Sequence, residues 1–177
     1  MLTHDEYVRE MVANRRTFHK RPEEGWTEFE TTYFLASRLR ALGLRVLLGR
    51  AAINPDAVMG RDPKLVEAAI ERALAHGVPQ SFIDETEGFT GCVAVLETER
   101  PGPVTALRCD IDCVLVTELD APEHLPAREG FASERPGFMH ACGHDGHQAV
   151  LMAIAEWVVA NKENLCGTLK FVFEPGE

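Results

Sequence analysis

Hydrophobic positions in the first half of the chain recur every three to four residues, the spacing of one face of an α-helix. The first such pattern covers residues 4–19. The second lies between a predicted N-cap at Thr27 and Gly43, and the third between a predicted N-cap at Asp62 and Gly77. We therefore expect three amphipathic helices in this half of the chain.

Shorter apolar runs, rich in β-branched residues, predict four strands at residues 44–48, 91–98, 103–109 and 167–173. The second and third runs flank the turn sequence ERPG, so we expect them to be neighbours in one sheet. Residues 146–160 are helical in pattern but apolar on nearly every side, which predicts a helix buried against that sheet. The order of elements indicates one α/β unit, a mixed sheet with helices on both faces.

Composition limits the binding partners and the cellular location that we expect for this protein. The chain has 177 residues, and its 18 Lys and Arg against 28 Asp and Glu give a net charge near −10, which argues against a nucleic-acid partner. The amino terminus is polar and the most apolar segment, residues 149–160, is interrupted by Glu156, so we expect neither a signal peptide nor a membrane span. An odd count of 5 cysteines without a C-x-x-C pair is typical of reduced thiols and predicts a cytoplasmic location.

Acidic side chains follow two of the predicted strands at their carboxyl ends. Asp110 and Asp112 close the third strand, and Glu174 and Glu177 follow the fourth. Open α/β sheets bind ligands outside the carboxyl ends of their strands, so we expect these carboxylates near a functional site. Side chains two positions apart in an extended segment share a face, which would pair Asp110 with Asp112.

The stretch MHACGHDGH, residues 139–147, concentrates three histidines and one cysteine. In an extended segment His140, Cys142 and His144 would share one face. Sulfur and nitrogen ligands beside carboxylates suit a divalent cation such as zinc or manganese. The spacing therefore favours Cys142 and His144 as metal ligands, with Glu177 as a candidate base that takes a proton from water.

Other interpretations remain open for parts of this stretch. Asp145, with Gln148 three residues on, is a candidate N-cap for the helix of residues 146–160, and His147 is as easily a structural residue as a functional one. Cys142 could instead be a thiol nucleophile near a helix start. A catalytic dyad usually takes its base from elsewhere in the fold, so metal ligation is the favoured interpretation.

The remaining histidines and cysteines are predicted to take no part in the site. The histidines are isolated in the sequence, and we expect them to be solvated or satisfied by hydrogen bonds: His4, His19, His76 and His124. His19, which lies beside Arg21, could instead face a cleft. The cysteines lie on apolar strands or at helix ends, and we expect them to fill the core: Cys92, Cys109, Cys113 and Cys166.

Four segments of the chain resemble the M20 metallopeptidases, in particular the amidohydrolase branch that cleaves N-acyl amino acids. HACGHDGH matches the metal motif of that branch letter for letter, and ALRCDID, residues 106–112, is similar to its ALRADMD strand end. RRTFHKRPEEGWTEFET, residues 15–31, resembles its first-helix signature. GTLKFVFEPGE, residues 167–177, resembles its strand G-x-V-x-x-x-F-Q-P-A-E-E. The resemblance extends along nearly the whole chain.

This resemblance implies a zinc-aminopeptidase-like, three-layer catalytic domain with a site for two divalent cations, Mn or Zn. It implies that Cys142 and His144 bind metal, that Glu177 is the general base and that Asp112 orients a ligand without binding metal itself. Asp110 is a weaker candidate for the same neighbourhood. The implied reaction is hydrolysis of the amide bond of an N-acyl or aroyl amino acid such as p-aminobenzoyl-glutamate.

The sequence also departs from the family pattern. Cys-Val-Leu at 113–115 replaces Ala-Leu-Pro, Glu-Pro-Gly at 174–176 replaces Gln-Pro-Ala, and the sequence ends at Glu177, where the family continues with a metal-binding Glu. In the family, two more histidine ligands and a lid domain that forms the dimer lie downstream. We therefore expect residues 1–177 to be the N-terminal part of the catalytic domain, with the lid and dimerisation domain absent, an apolar sheet edge exposed and no activity alone.

Two other functions are compatible with these residues. The chain could be a non-catalytic subunit that contributes binding surface to an oligomeric hydrolase, or it could be a module with a structural metal ion. For the complete protein we expect a homo- or hetero-oligomer with a small acyl-amino acid as its substrate. Neither nucleic acid nor a membrane is expected as a partner.

Overall fold

The computed structural model describes residues 2–177. Its α-helices are α1 (His4–Lys20), α2 (Phe29–Ala41), α3 (Pro63–Ala75), α4 (Gln80–Thr86), α5 (Leu125–Arg128) and α6 (His144–Ala160). Its strands are β1 (Arg45–Leu47), β2 (Cys92–Glu97), β3 (Val104–Asp110) and β4 (Thr168–Glu174). The three helices predicted from the first half of the chain and the four predicted strands are all present, whereas α4 and α5 were not predicted.

The strands form one mixed sheet in the order β1-β2-β4-β3. β2 pairs antiparallel with both β1 and β4, and β3 pairs parallel with β4. The predicted α/β class, with a mixed sheet flanked by helices, is confirmed. The expectation that β2 and β3 are neighbours is wrong, because β4 lies between them. Apolarity explains this order: β4 buries Phe171 and Phe173, whereas β3 leaves Val104 and Arg108 exposed and so suits an edge.

Helices α2 and α6 pack on the sheet and enclose the core. α6 contacts β3, β4 and α1, and α2 contacts β1, β2 and α6. The predicted burial of α6 is confirmed by Leu151, Met152 and Ala155, which are all buried. Within residues 2–177 we find no helix that combines the length and apolarity needed to cross a bilayer.

Local capping signals were correct at the starts of α1 and α3 and wrong at the start of α2. Thr3 caps α1 in a capping box, and Asp62 caps α3. Thr27 lies before α2 rather than capping it, since its hydroxyl group donates to the carbonyl oxygen of Glu24 at 2.7 Å. The residue at the N-cap position of α2 is Glu28, whose side chain points into the core and makes no capping hydrogen bond.

The parallel pairing of β3 and β4 brings their carboxyl ends to the same edge of the sheet. Asp110 is the register partner of Glu174, and the N–H of Ile111 donates to the carbonyl oxygen of Glu174 at 3.0 Å. The acidic residues that end the two strands therefore lie side by side, as the sequence predicted.

Candidate metal centre

Three side chains converge at this edge, from the end of β3, the start of α6 and the segment that follows β4. One ligand atom each from Asp110, His144 and Glu177 lies within 4.8 Å of the other two. The Nε2 atom of His144 is 3.4 Å from Oε2 of Glu177 and 4.0 Å from Oδ2 of Asp110. One imidazole nitrogen and two carboxylates form a donor set that zinc or manganese accepts, so the residues present fit a divalent cation.

The other side of the His144 ring is held by Asp112. Nδ1 of His144 lies 3.0 Å from the carbonyl oxygen of Asp112 and 3.2 Å from its Oδ1 atom. A metal-binding histidine typically donates its second ring N–H to a carbonyl or carboxylate, which fixes its tautomer and leaves the other nitrogen free to bind. Burial raises the pKa of Asp112, and the nearby His144 acts in the opposite direction. This contact supports the orienting role expected for Asp112.

Arg108 restrains the carboxylates at this edge. Its Nη2 atom is 2.6 Å from Oδ1 of Asp110, and its Nε atom pairs with Glu174. The guanidinium group therefore engages one oxygen of Asp110 and leaves the other, Oδ2, on the side of His144. Asp110 was expected to be a weaker candidate than Asp112. It nevertheless supplies one of the three ligand atoms of this cluster.

Cys142 lies outside this group of three. Its side chain is exposed and free, whereas His140 and His144 on either side are buried. The expectation that these three residues share one extended face is wrong, because α6 already begins at His144 after Gly143 in the left-handed conformation. Neither ring nitrogen of His140 has a hydrogen-bond partner within residues 2–177, and burial lowers its pKa to about 4.

The other cysteines mostly follow the prediction. Cys92, Cys109 and Cys113 are buried, and burial raises the pKa of Cys92 and of Cys113 to about 12, which makes both poor thiolate ligands. Cys166 is exposed, so the prediction that it fills the core is wrong. Among the described residues no side-chain base is hydrogen-bonded to Cys142, so the thiol-nucleophile interpretation gains no support.

Ligation by Cys142 stays a prediction and can be measured directly. Loading the chain with Co(II) is expected to give a sulfur-to-metal charge-transfer band in the near ultraviolet that is lost in Cys142→Ser. The exposed Cys166 provides the matched control, because Cys166→Ser leaves the MHACGHDGH stretch intact and should keep the band. A band that survives Cys142→Ser would remove Cys142 from the ligand set.

Asp145 does not cap α6, contrary to one of the interpretations above. It lies within the first turn of the helix and is fully buried. Its Oδ2 atom is 2.8 Å from Nδ1 of the buried His19 and accepts from Nε of Arg15 at 3.0 Å. The other nitrogen of His19, Nε2, is 2.9 Å from Oε1 of Glu118. His19 is therefore satisfied, as predicted, but by a buried polar network that ties α1 to α6.

The sequence of this chain is similar to those of several hydrolases. Residues 106–177 match the family model for peptidase family M20/M25/M40. The chain is 46% identical over 171 residues to a homolog of the p-aminobenzoyl-glutamate hydrolase A subunit in Haemophilus influenzae, covering 96% of this chain and 40% of that protein. It is 42% identical over 179 residues to the indole-3-acetyl-aspartic acid hydrolase of Enterobacter agglomerans, covering 98% of this chain and 41% of that protein.

A solved structure shares the fold. The dinuclear metal-binding peptidase of the M20 family from Bacillus subtilis is 27% identical with a TM-score of 0.68, over 99% of this chain and 37% of that one. The chain thus spans about two fifths of the length of the curated relatives it matches. Three segments of the sequence also resemble the A subunit of p-aminobenzoyl-glutamate hydrolase: LGRAAINPDAVMG with the helix after it, EGFTGCVAVLETERPGPV and EGFASERPGFMHACGHDGH.

Proposed function

Because this chain belongs to the M20 peptidases, we propose that it is the N-terminal part of the catalytic domain of a metal-dependent amidohydrolase. One observation carries the proposal: donor atoms of Asp110, His144 and Glu177 meet where the carboxyl ends of β3 and β4 lie side by side. Two carboxylates and an imidazole in one small space, at the ligand-binding edge of an α/β sheet, are typical of a hydrolytic metal site.

Each residue of the site has its own role in the proposed hydrolysis. Cys142 and His144 would hold the divalent cations, two of them in the complete site, and Asp112 keeps the His144 ring oriented through Nδ1. The cations, Mn or Zn, would supply Lewis acidity toward the amide carbonyl group. Glu177 takes a proton from the attacking water and passes it to the leaving amine, a role that its position beside His144 Nε2 supports. Asp110 contributes a second carboxylate to the same cluster.

The names of the two relatives indicate the substrate class. One is a hydrolase of p-aminobenzoyl-glutamate and the other a hydrolase of indole-3-acetyl-aspartic acid. Both names describe an aromatic acyl group joined to an acidic amino acid. We therefore propose an aroyl or arylacetyl derivative of glutamate or aspartate as the substrate, with p-aminobenzoyl-glutamate as the first choice.

The same comparison supports a proposal for the assembly. The chain covers 40% of the Haemophilus influenzae relative, whose name describes one subunit of a hydrolase. In the complete protein we propose a lid or dimerisation domain beyond residues 1–177 and an oligomer, either of one kind of chain or with a second kind. The cytoplasm is its proposed location.

The test compares this chain with a version extended at Glu177 by the corresponding remainder of the Haemophilus influenzae relative. With Mn(II) or Zn(II) present, the extended chain is expected to release p-aminobenzoate from p-aminobenzoyl-glutamate. The 177-residue chain is expected to release none at a useful rate, because the cluster offers too few ligands for two cations. Equal turnover by both would show that the site is complete as it stands, and absence of turnover by the extended chain with either metal would contradict the proposed activity.

A further inference from the structure

Glu28 is a buried acidic residue that the proposed reaction does not use. Its side chain has an exposure of 0%, and no basic side chain forms an ion pair with it within residues 2–177. Burial raises its pKa to about 8, so the carboxyl group is mostly uncharged at neutral pH. A carboxyl group without an ion-pair partner is costly to bury unless its oxygens form hydrogen bonds.

The two oxygens of Glu28 connect distant parts of the chain. Oε1 accepts a hydrogen bond from the backbone N–H of Gly176 at 3.0 Å. Oε2 is 2.5 Å from the hydroxyl group of Thr90, which is also fully buried. Glu28 therefore ties the residue next to Glu177 to the start of α2 and to the segment before β2.

Close packing on both sides of Gly176 restricts the same peptide. A β-carbon on Gly25 would lie 2.9 Å from Cα of Gly176, and a β-carbon on Gly176 would lie 2.6 Å from Nε1 of Trp26. Gly176 has a positive φ of 61°, a conformation that side chains with a β-carbon rarely adopt. The backbone therefore runs through a narrow slot, and Glu28 supplies the polar contact inside it.

We propose that Glu28 is a positioning residue for Glu177: by accepting the N–H of Gly176, it fixes the backbone from which Glu177 reaches His144 and Asp110. The side chain of Glu177 is more than half exposed, and its contact with His144 Nε2 is 3.4 Å. Because this side chain is exposed, its direction depends mainly on the backbone one residue earlier. This inference rests on the proposed function, because it concerns the same cluster.

The experiment measures Mn(II) binding by the chain, from the electron paramagnetic resonance signal of free Mn(II), together with amide hydrogen exchange of Gly176. Glu28→Leu removes the acceptor and is expected to weaken Mn(II) binding by the chain about 10- to 100-fold, because Glu177 offers one of the three ligand atoms of the cluster. The exchange of the Gly176 amide is expected to accelerate in the same variant. No helix cap is lost, since the side chain of Glu28 makes no capping bond.

Two control variants separate positioning from general damage to the core. Glu28→Gln keeps an acceptor for Gly176 and a donor for Thr90 without adding charge, so it is expected to preserve both Mn(II) affinity and slow exchange. Thr90→Val perturbs the same buried region but leaves the bond to Gly176, and is expected to change Mn(II) affinity far less than Glu28→Leu. If Glu28→Leu fails to fold, Glu28→Asp replaces it, because the shorter side chain withdraws the carboxyl group from Gly176.

Three results would overturn the inference. These are unchanged Mn(II) affinity in Glu28→Leu or Glu28→Asp, an equal loss in Glu28→Gln, and a Gly176 amide in the unmodified chain that exchanges as fast as an unstructured one. If the unmodified chain binds no Mn(II), that result counts against the proposed function. The exchange of the Gly176 and Glu177 amides in Glu28→Leu against Glu28→Gln then decides whether Glu28 holds this backbone.

Discussion

Replacing Asp145 with alanine is expected to lower the free energy of unfolding by about 3–5 kcal/mol, the usual cost of breaking a buried ion pair by removing one partner. The side chains of Asp145 and His19 are 0% and 2% exposed, and they meet at 2.8 Å. Without Asp145, His19 loses the partner of its Nδ1 atom in a site that water does not reach, and Arg15 loses the carboxylate on α6 with which it pairs. Urea unfolding of the chain measures the difference.

Asp5 provides the matched control for this experiment. It is an acidic residue in the first turn of α1 whose side chain is 91% exposed, so Asp5→Ala is expected to change stability by less than about 0.5 kcal/mol. A loss of about 0.5–2 kcal/mol in Asp145→Ala is what a simple helix cap would give, and it would contradict the role assigned to the buried pair.

The same network gives stability a defined dependence on pH. Burial by itself lowers the pKa of His19, but hydrogen bonds to Asp145 and Glu118 outweigh burial and raise it. Burial likewise raises the pKa of Asp145, yet the bond to His19 and the charge of Arg15 outweigh it and lower it. The His19 contribution is therefore lost as pH rises above its ordinary value of about 6.5, and the Asp145 contribution as pH falls below about 3.9. Asp145→Ala is expected to reduce the dependence of the unfolding free energy on pH in both ranges.

Hydrophobic pattern predicted the elements of this fold better than their pairing. The helical spacing of apolar residues located α1, and the apolar run of residues 149–160 located the buried helix α6. Strand order depends instead on which strand buries most apolar surface, and along the chain β4 is separated from β2 by β3, α5 and α6. A turn signal such as ERPG acts locally, so it could not show that β4 would enter between β2 and β3.

In the candidate site too, features that depend on local sequence were predicted, whereas contacts between distant residues were not. Asp110, Asp112 and Glu177 were predicted to cluster because each follows a strand end, and strand ends can be read from local sequence. The contact between His19 and Asp145 joins residues 126 positions apart, and the contact between Glu28 and Gly176 joins residues 148 apart. No short motif predicts contacts between residues so far apart in the sequence. His19 was therefore expected to be an isolated residue, and no role was predicted for Glu28.

Replacing Glu177 with glutamine in the extended chain is expected to lower the turnover of p-aminobenzoyl-glutamate about 100- to 10,000-fold, the usual contribution of a positioned general base. An amide cannot take a proton from water at neutral pH, whereas its shape and the backbone contacts of Gly176 are unchanged. Glu174→Gln is the matched control from the same strand end. Glu174 pairs with Arg108 rather than with His144, so its replacement is expected to leave turnover close to that of the parent.

The measurement that tests the central claim most directly is the release of p-aminobenzoate by the extended chain as Mn(II) is titrated, with the parent, Glu177→Gln and Glu174→Gln side by side. The account predicts turnover that requires Mn(II), survives Glu174→Gln and falls by at least about 100-fold in Glu177→Gln. Turnover that is independent of added metal after chelation, or a Glu177→Gln variant as fast as the parent, would contradict it.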